Sequence, residues 1–355
     1  MTTALRYSAT LPYPIEANLL AYAKSSERGV SFAGRAREIA ALRAVGYRDA
    51  SLGRIYEGHL NGGQLVGRYG TPAQRAAAER DVDAGRLFGV WNTQDDDGVT
   101  IASAGDRHVL QGSKTWASGA GAVTRAVVTA ARAGGGVQMC LVPLERVAAT
   151  IDAGAWQPLG MHASQSFRVS FDGVRLETSD LIGGPDDYER QPWFFGGALR
   201  FAAVQTGVCE RLFAETIDYV YSRGRHEDAY QLGRIADMRI AVESAVRWLE
   251  AGRAAWEAFD GDASDARGVE VIDVVDMVRT VVERAALSTI ELAVRSVGAR
   301  GLLEPLPFAK LVRDLEMYLR QPAPDAATVR IATSAVRRRI AARSRSIAAS
   351  TAIVS

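Results

Sequence analysis

The spacing of apolar residues changes twice along the chain. Up to about Gly85 they recur every three and four residues, as in amphipathic helices, and Thr71-Pro72 has the form of a helix N-cap followed by proline. From residue 86 to about 182, short β-branched or aromatic runs with a period of two alternate with Gly, Asp and Asn turns, which is typical of antiparallel strands. From Pro192 onwards, long segments with wide apolar stripes return, as in bundle helices.

This order predicts an α+β protein that is mainly α and has three domains. We expect an N-terminal helical domain over residues 1–85, an antiparallel β-barrel or sandwich domain over residues 86–185, and a C-terminal helical bundle over residues 192–355. The length of 355 residues is compatible with two domains or three small ones, since a domain takes roughly 150 residues.

The composition narrows the class of protein. Hydrophobic residues make up 48% of the chain and charged residues 23%, which excludes a disordered, collagenous or disulfide-stapled chain. Lys and Arg number 42 against 41 for Asp and Glu, so no overall field favours nucleic acid or an anionic membrane. The arginines between Arg337 and Arg345 could form a local basic patch, but without interleaved aromatic residues a solvated helix face is the better interpretation.

The cysteines, histidines and apolar runs bear on compartment and metal binding. Cys140 and Cys209 lie far apart without a CxxC partner, and the four histidines are dispersed, so the sequence favours neither a disulfide nor a metal site. The N-terminal residues do not have the pattern of a secretion signal, and no run reaches the roughly 18 apolar residues of a membrane span. We therefore expect a cytoplasmic protein without a membrane partner.

Two motifs in the predicted β-domain carry candidate chemistry. The stretch LQGSKTWASGA places Trp116 at the end of a strand, followed by Ser118 and small residues that allow close approach of a planar partner. On composition alone, the alternative of a core tryptophan that closes the barrel is favoured. The stretch WNTQDDDG supplies amide and hydroxyl groups at a strand-to-loop transition, and by itself it is only a polar turn.

Six stretches, taken together, resemble the acyl-CoA dehydrogenase fold family of flavoproteins. They occur in the family's order and near its spacing, from about Asp49 to Asp314: ASLGRIYEGHLNGGQLVGRYGTPAQR, LFGVWNTQ, LQGSKTWASGA, WQPLGMHASQSFRVSFDGVRL, RIADMRIAVESA and VGARGLLEPLPFAKLVRD. The resemblance implies helices, then a β-domain, then a four-helix bundle, in agreement with the hydrophobic pattern. It also implies FAD as the cofactor.

The resemblance assigns roles to residues around a flavin. In the family, the aromatic residue of the K-x-W strand flanks the isoalloxazine, and a hydroxyl two residues later bonds flavin N5 or O4; Trp116 and Ser118 hold these positions. The preceding strand lends backbone amides and a threonine to the pyrimidine edge of the flavin. Those positions are Val90, Trp91, Asn92 and Thr93.

Other matches imply that a neighbouring subunit completes the site. An arginine between bundle helices normally meets the neighbour's flavin pyrophosphate, and Arg223 occupies its place, although the stretch that follows is shorter than in the family. A glycine turn that meets the ADP moiety matches VGARG, with Gly298 and Gly301, and Arg295 stands where the family has a glutamine. The implied assembly is a homodimer or a homotetramer.

The catalytic base of the family is missing from both of its usual positions. A dehydrogenase of this type removes the α-proton of an acyl-CoA with a glutamate while flavin N5 takes the β-hydride. The first usual position falls on Pro322 and the second on Leu199. Asp325 is the nearest carboxylate in sequence to the first position and is the candidate base; the alternative, which is favoured, is that it caps the helix that follows.

Three functions remain open from the sequence. The leading one is α,β-dehydrogenation of an acyl thioester or related substrate, with an electron-accepting flavoprotein as partner. The second is oxygenation of small aromatics or sulfur heterocycles by reduced flavin from a flavin reductase; relatives with this activity lack the glutamate. The third is a degenerate subunit that binds an acyl group or supports an active partner, which the retention of Trp116 and Ser118 disfavours.

Overall fold

The computed structural model describes residues 5–6, 35–320 and 323–354. Within them, three helices precede two β-sheets and five helices follow. The helices are α1 Arg35–Arg48, α2 Ala50–Tyr69, α3 Pro72–Asp83, α4 Gly196–Ser222, α5 Ala229–Gly261, α6 Asp265–Gly301, α7 Phe308–Leu319 and α8 Pro324–Val354. The strands are β1 Leu5–Arg6, β2 Phe88–Trp91, β3 Thr100–Ala104, β4 Arg107–Gln111, β5 Ser113–Ala117, β6 Arg125–Arg132, β7 Val137–Pro143, β8 Thr150–Asp152, β9 Phe167–Ser170, β10 Val174–Glu177 and β11 Leu181–Ile182.

The predicted fold class is confirmed: the protein is α+β and mainly α, with helices before and after a β-region. The helix starts follow from local chemistry. The Asp49 side chain accepts a hydrogen bond from the Leu52 amide at 3.0 Å and caps α2. At α3, Thr71 and Gln74 form a reciprocal capping box, and Pro72 stands at the first helical position.

The β-region is a pair of packed sheets. One has the strand order β1-β8-β9-β5, the other β10-β4-β3-β6-β7-β11 with β2 beside β6, and a shared apolar core lies between them. Most neighbours are antiparallel, as predicted, but β6 pairs in parallel with both β2 and β3. Alternation of apolar residues identifies which face of a strand is buried and carries no information on its direction, so these pairings could not be predicted.

Three short strands were not predicted. Strands β1, β8 and β11 have only two or three residues, too few to establish a period of two. Strand β1 pairs with β8, so the expectation that the first quarter of the chain is all-helical is wrong at Leu5 and Arg6.

Helix α2 separates the sheets from the bundle. On one side Ile55 joins the core of the sheets, and on another Leu52 and Tyr56 join the core of the bundle. Gly62 lets the helix approach β2, because a Cβ at this position would lie 2.9 Å from the Phe88 Cβ. Helix α2 therefore contributes side chains to both cores.

Helices α1 and α4 meet with their backbones in contact. A Cβ on Gly207 would lie 2.0 Å from the Arg43 carbonyl oxygen, and one on Gly46 would lie 2.2 Å from the Val204 carbonyl oxygen. No larger residue fits at either position without separating the helices, so this contact fixes α1 against the bundle. Among the described residues, no helix is long and apolar enough to cross a membrane.

Candidate functional site

Trp116 is held in an unusual conformation at the end of β5. Its φ is 55°, in the left-handed region, and the pairing of β5 with β9 shifts register between Lys114 and Ala117. Such a bulge redirects a side chain away from the regular alternation of a strand. The ring is 51% exposed and lies edge-on to Trp156, with the ring centres 5.2 Å apart. Trp116 is therefore not a core residue, and a large aromatic face is left open for a planar ligand.

A chain of hydroxyl groups runs from Ser118 into the protein. The Ser118 Oγ lies 2.8 Å from the Ser166 Oγ, which lies 2.8 Å from the Ser164 Oγ. The segment that supplies two of these serines is bent by left-handed backbone at Met161 and Gln165. Non-glycine residues in this region of φ cluster at functional sites, because the surrounding structure must hold them there.

The end of β2 lies beside Trp116 and Ser118, as the resemblance implied. The Trp91 indole donates to the Ser118 carbonyl at 3.1 Å, and the Thr115 amide donates to the Thr93 carbonyl at 3.0 Å. The side chains of Val90 and Trp91 are buried in the cores on either side of β2. Only the backbone of these two residues is left to meet a ligand, whereas Asn92 and Thr93 are exposed.

Lys114 lies beneath this strand end and was not identified as a site residue from the sequence. It is 1% exposed, and its Nζ donates to the Asn92 carbonyl at 3.0 Å, the Gln94 Oε1 at 2.5 Å and the Thr129 Oγ1 at 3.0 Å. None of the ion pairs among the described residues involves Lys114. Burial lowers its pKa to about 8, so at neutral pH it is a cation held by neutral acceptors.

A second polar region lies between the bundle helices. Arg223, Arg225, Gly298 and Arg300 line a cavity of about 360 Å³, so the structure brings together Arg223 and the predicted glycine turn. Gly298 has φ 62° and ψ −173°, a conformation open essentially to glycine alone. Arg295 does not line this cavity and pairs with Glu291 at 3.3 Å on the surface of α6.

An unsatisfied amide oxygen also faces this cavity region. Gln231 is 1% exposed, and its Nε2 donates to the Ser296 carbonyl at 3.3 Å. Its Oε1 has no hydrogen-bond partner among the described residues. Three guanidinium groups beside a free amide acceptor suit a ligand that carries phosphate groups together with a hydrogen-bond donor.

The usual positions of the base hold no carboxylate. Leu199 is 3% exposed and packs in the bundle core, and Pro322 lies outside the described residues. Asp325 lies exposed in the first turn of α8, where its carbonyl accepts from the Thr328 hydroxyl at 2.7 Å. No hydrogen bond from its side chain to the helix backbone occurs among the described residues. Asp325 is thus a solvated carboxylate at a helix start.

A buried ion pair next to Leu199 was missed from the sequence. The Glu57 Oε1 accepts from the Arg200 Nε at 3.0 Å, its Oε2 is bonded by Arg54, and the Arg200 Nη1 donates to the Gln64 Oε1 at 2.7 Å. Glu57, Asn61, Gln64 and Arg68 recur at helical spacing on α2, and this polar stripe is the signal that could have revealed it. Among the described residues, Glu57 is the only carboxylate within hydrogen-bonding distance of Arg200. Each of its two oxygens accepts a hydrogen bond from an arginine.

Comparisons with known proteins agree with this geometry. The family model described as "Acyl-CoA dehydrogenase, C-terminal domain" matches residues 194–319, which span α4 to α7. The structure resembles that of FMN-bound TdsC, a dibenzothiophene monooxygenase from Paenibacillus sp. A11-2, with a TM-score of 0.82, 19% identity and coverage of 90% of this chain and 88% of TdsC. Residues 194–319 therefore match the acyl-CoA dehydrogenase family, and the described fold is the one that the similar structures share with it. This is a family of flavin-dependent oxidoreductases, so the resemblance found in the sequence is confirmed.

Two sequence relatives illustrate the range of this acyl-CoA dehydrogenase fold. A dibenzothiophene monooxygenase of Mycolicibacterium goodii is 22% identical over 310 residues, which are 78% of this chain and 74% of the relative. A glutaryl-CoA dehydrogenase of Desulfococcus multivorans is 24% identical over 282 residues, 77% of this chain and 67% of the relative. The relatives therefore include both an oxygen-using and a dehydrogenating enzyme.

Proposed function

We propose that this chain is a flavin-dependent monooxygenase that oxygenates a small aromatic or sulfur-containing molecule. The observation that carries the proposal is that neither usual position of the base holds a carboxylate: one is Pro322, the other is the buried and aliphatic Leu199, and the neighbouring Glu57 is held by two arginines. Oxygenation needs no carboxylate to remove an α-proton. The similarity to dibenzothiophene monooxygenases supports this alternative over the dehydrogenation that leads the sequence analysis.

The described residues fit a flavin in two places. The open face of Trp116, the Ser118 hydroxyl and the backbone of residues 90–93 suit a flat ring with a polar edge. The cavity beside Arg223 and Gly298 suits the phosphate end. Because the family completes its site across an interface, we propose that the second region serves a neighbouring subunit in a homodimer or homotetramer.

The residues that line the cavity beside Arg223 bear on the choice between FAD and FMN. The family resemblance favours FAD, whereas the similar structure of TdsC holds FMN. The free Oε1 of Gln231 and three arginines provide more polar groups than one phosphate needs, which supports FAD. Extraction of the bound flavin and its separation by chromatography decides between the two.

In the proposed reaction, reduced flavin supplies two electrons, one atom of O₂ enters the substrate and the other leaves as water. The residues of this chain position the ring, exclude water and supply hydrogen bonds. The chain of serine hydroxyls at Ser118 can donate to or accept from a ligand atom while staying linked to the interior. The buried Lys114 ammonium lies beneath the end of β2. Its positive charge stabilises negative charge on a ligand atom bound there. A flavin reductase is the proposed partner.

The test uses purified protein with photoreduced FMN or FAD, admitted to air in the presence of indole or dibenzothiophene. We expect a product that is heavier by one oxygen atom, with ¹⁸O incorporated from labelled O₂. Trp116→Ala should lose this product, whereas Arg247→Gln, an exposed change distant in sequence, should retain it. Bleaching of the flavin by an acyl-CoA under nitrogen, with no oxygenated product from any substrate, would overturn the proposal.

Dehydrogenation of an acyl thioester is the second candidate function. The match to the acyl-CoA dehydrogenase C-terminal domain and the similarity to glutaryl-CoA dehydrogenase favour it. Asp325 would then be the base, and an electron-accepting flavoprotein the partner. In that case Asp325→Asn should slow anaerobic bleaching a hundredfold or more with flavin retained, while Asp265→Asn, in the first turn of α6, should not.

A further inference from the structure

A small pocket lies beside the C-terminal half of α2. It has a volume of about 40 Å³, and we name it the arginine–tryptophan pocket after its lining residues Arg35, Arg68, Tyr69, Trp193, Arg200 and Trp256. Neither the flavin-binding residues nor the cavity beside Arg223 contributes to it. We propose that this pocket binds a compact oxyanion, a site additional to the proposed flavin site.

The arginines of the pocket differ in how they are paired. Arg35 bonds Glu38 at 3.1 Å and Asp260 at 2.9 Å, and Arg200 bonds Glu57. Arg68 takes part in no ion pair among the described residues. Its guanidinium instead lies over the Trp193 ring, 4.6 Å from the ring centre. Arg68 is therefore the one arginine of the pocket whose guanidinium no described carboxylate bonds directly.

Two lining residues of the pocket each carry a buried donor without a partner. Trp256 is 1% exposed and its Nε1 has no hydrogen-bond partner among the described residues. The Tyr69 hydroxyl is also buried without a partner there, and burial raises the pKa of this tyrosine, so it keeps its proton. Buried donors without acceptors are rare, because desolvation costs free energy that only a partner offsets.

These groups define the chemistry of the missing partner. The nearby carboxylates are already bonded by Arg35, Arg200, Arg54 and Gln64, and the two unpartnered buried groups among the lining residues are both donors. A ligand made only of acceptor atoms and carrying negative charge matches them. A water site needs roughly 10–15 Å³, so this volume holds about three waters or one compact oxyanion such as a carboxylate, phosphate or sulfate group. Aromatic walls at Tyr69, Trp193 and Trp256 favour the compact, planar or tetrahedral anion over an extended chain.

Equilibrium dialysis of the purified, flavin-free full chain tests the proposal. The probes are labelled acetate and labelled phosphate, with labelled acetamide as the neutral analogue of acetate, all at constant ionic strength. We expect saturable binding of at least one anion at one site per chain and no binding of acetamide. If acetate binds, the pocket takes carboxylates; if phosphate binds, it takes tetrahedral oxyanions.

Three variants locate the bound anion. Arg68→Gln lies at the exposed rim, so it should fold normally and weaken binding at least tenfold. Trp256→Phe keeps an aromatic side chain and removes the Nε1 donor together with part of the indole, and it should weaken binding several-fold. Arg247→Gln, which removes a 78% exposed guanidinium outside the pocket, should leave binding unchanged.

Other outcomes would overturn the proposal. Absence of saturable binding means that water fills the pocket. Binding that survives Arg68→Gln and is lost in Arg223→Gln belongs to the cavity between the bundle helices. Because no flavin is present, either result leaves the proposed oxygenation untouched, and failure of that oxygenation leaves this test valid.

Discussion

Ionisable side chains are buried with different kinds of partner on the two sides of α2. Towards the sheets, His59 and Lys114 are buried with neutral hydrogen-bond partners: the His59 Nδ1 accepts from the Phe88 amide at 3.1 Å, and Lys114 donates to three oxygen atoms. Towards the bundle, Glu57 and Arg200 are buried as a pair. We therefore expect the groups on the sheet side to make the free energy of unfolding depend on pH. On the bundle side, we expect it to depend on keeping both members of the ion pair.

The largest expected effect comes from breaking the pair on the bundle side. In Arg200→Met, Glu57 keeps only Arg54 as a charged partner, and we expect the free energy of unfolding to fall by about 3–5 kcal/mol. Urea denaturation followed by circular dichroism measures it. The double variant Glu57→Gln/Arg200→Met should recover part of the loss. A single-variant loss below about 1 kcal/mol, the range of exposed pairs such as Arg247 with Glu243, would contradict this account.

The next effect is a pH dependence on the sheet side. Burial lowers the pKa of His59 to about 4 from 6.5, so between these values the unfolded chain binds the extra proton. Stability should consequently fall by about 3 kcal/mol as the pH drops from 6.5 to 4. His59→Gln, which keeps an acceptor, should remove this component from the difference between variant and wild-type curves. The exposed His226→Gln is the control, and identical curves for wild type and His59→Gln would refute the assignment.

Much of the fold could be predicted because helical periodicity is a local property of the chain. The bundle helices and the order of the regions follow from it, and the cap at Thr71 follows from its place before Pro72. The direction of β2 and β3 relative to β6 depends on how the chain connects these strands. The alternation of apolar and polar residues is the same for either direction, so it does not predict the parallel pairings. Trp116 and Ser118 were found through the family resemblance, and residues 90–93 do lie beside them.

Other parts of the site depend on contacts between distant residues. Glu57 and Arg200 are 143 positions apart, so neither indicates the other in the sequence. The exposure of Trp116 depends on a bulge and a left-handed backbone that no local rule gives for tryptophan. The family resemblance places Arg295 beside the glycine turn, but in the structure it pairs with Glu291.

A third prediction tests whether Trp116, on the sheet side, contacts the flavin or packs in the core. Trp116→Ala should weaken flavin binding by about 1–3 kcal/mol, since a stacking surface is removed, without lowering the melting temperature of the flavin-free protein. Trp116→Phe should retain most of the affinity. Fluorescence quenching during flavin titration measures the affinity. A steep fall in melting temperature with unchanged affinity would assign Trp116 to the core after all.

The smallest expected effect is a difference in flavin affinity between variants of two bundle arginines, Arg223 and Arg295. Arg223→Gln should weaken flavin binding about tenfold, roughly 1.4 kcal/mol, because its guanidinium lines the polar cavity. Arg295→Gln is the matched control and should have little effect, since that side chain pairs with Glu291 outside the cavity. Equal losses in both variants would mean that net charge, and not the cavity, determines affinity.

The backbone contact between α1 and α4 has a consequence for motion and for engineering. With no side chain between Gly46 and Gly207, neither helix can slide past the other without first separating. We expect the amide hydrogens along this contact to exchange with solvent only when the whole bundle opens, whereas those of the exposed α8 exchange through local fraying. Libraries that diversify the bundle should therefore leave these two glycines unchanged.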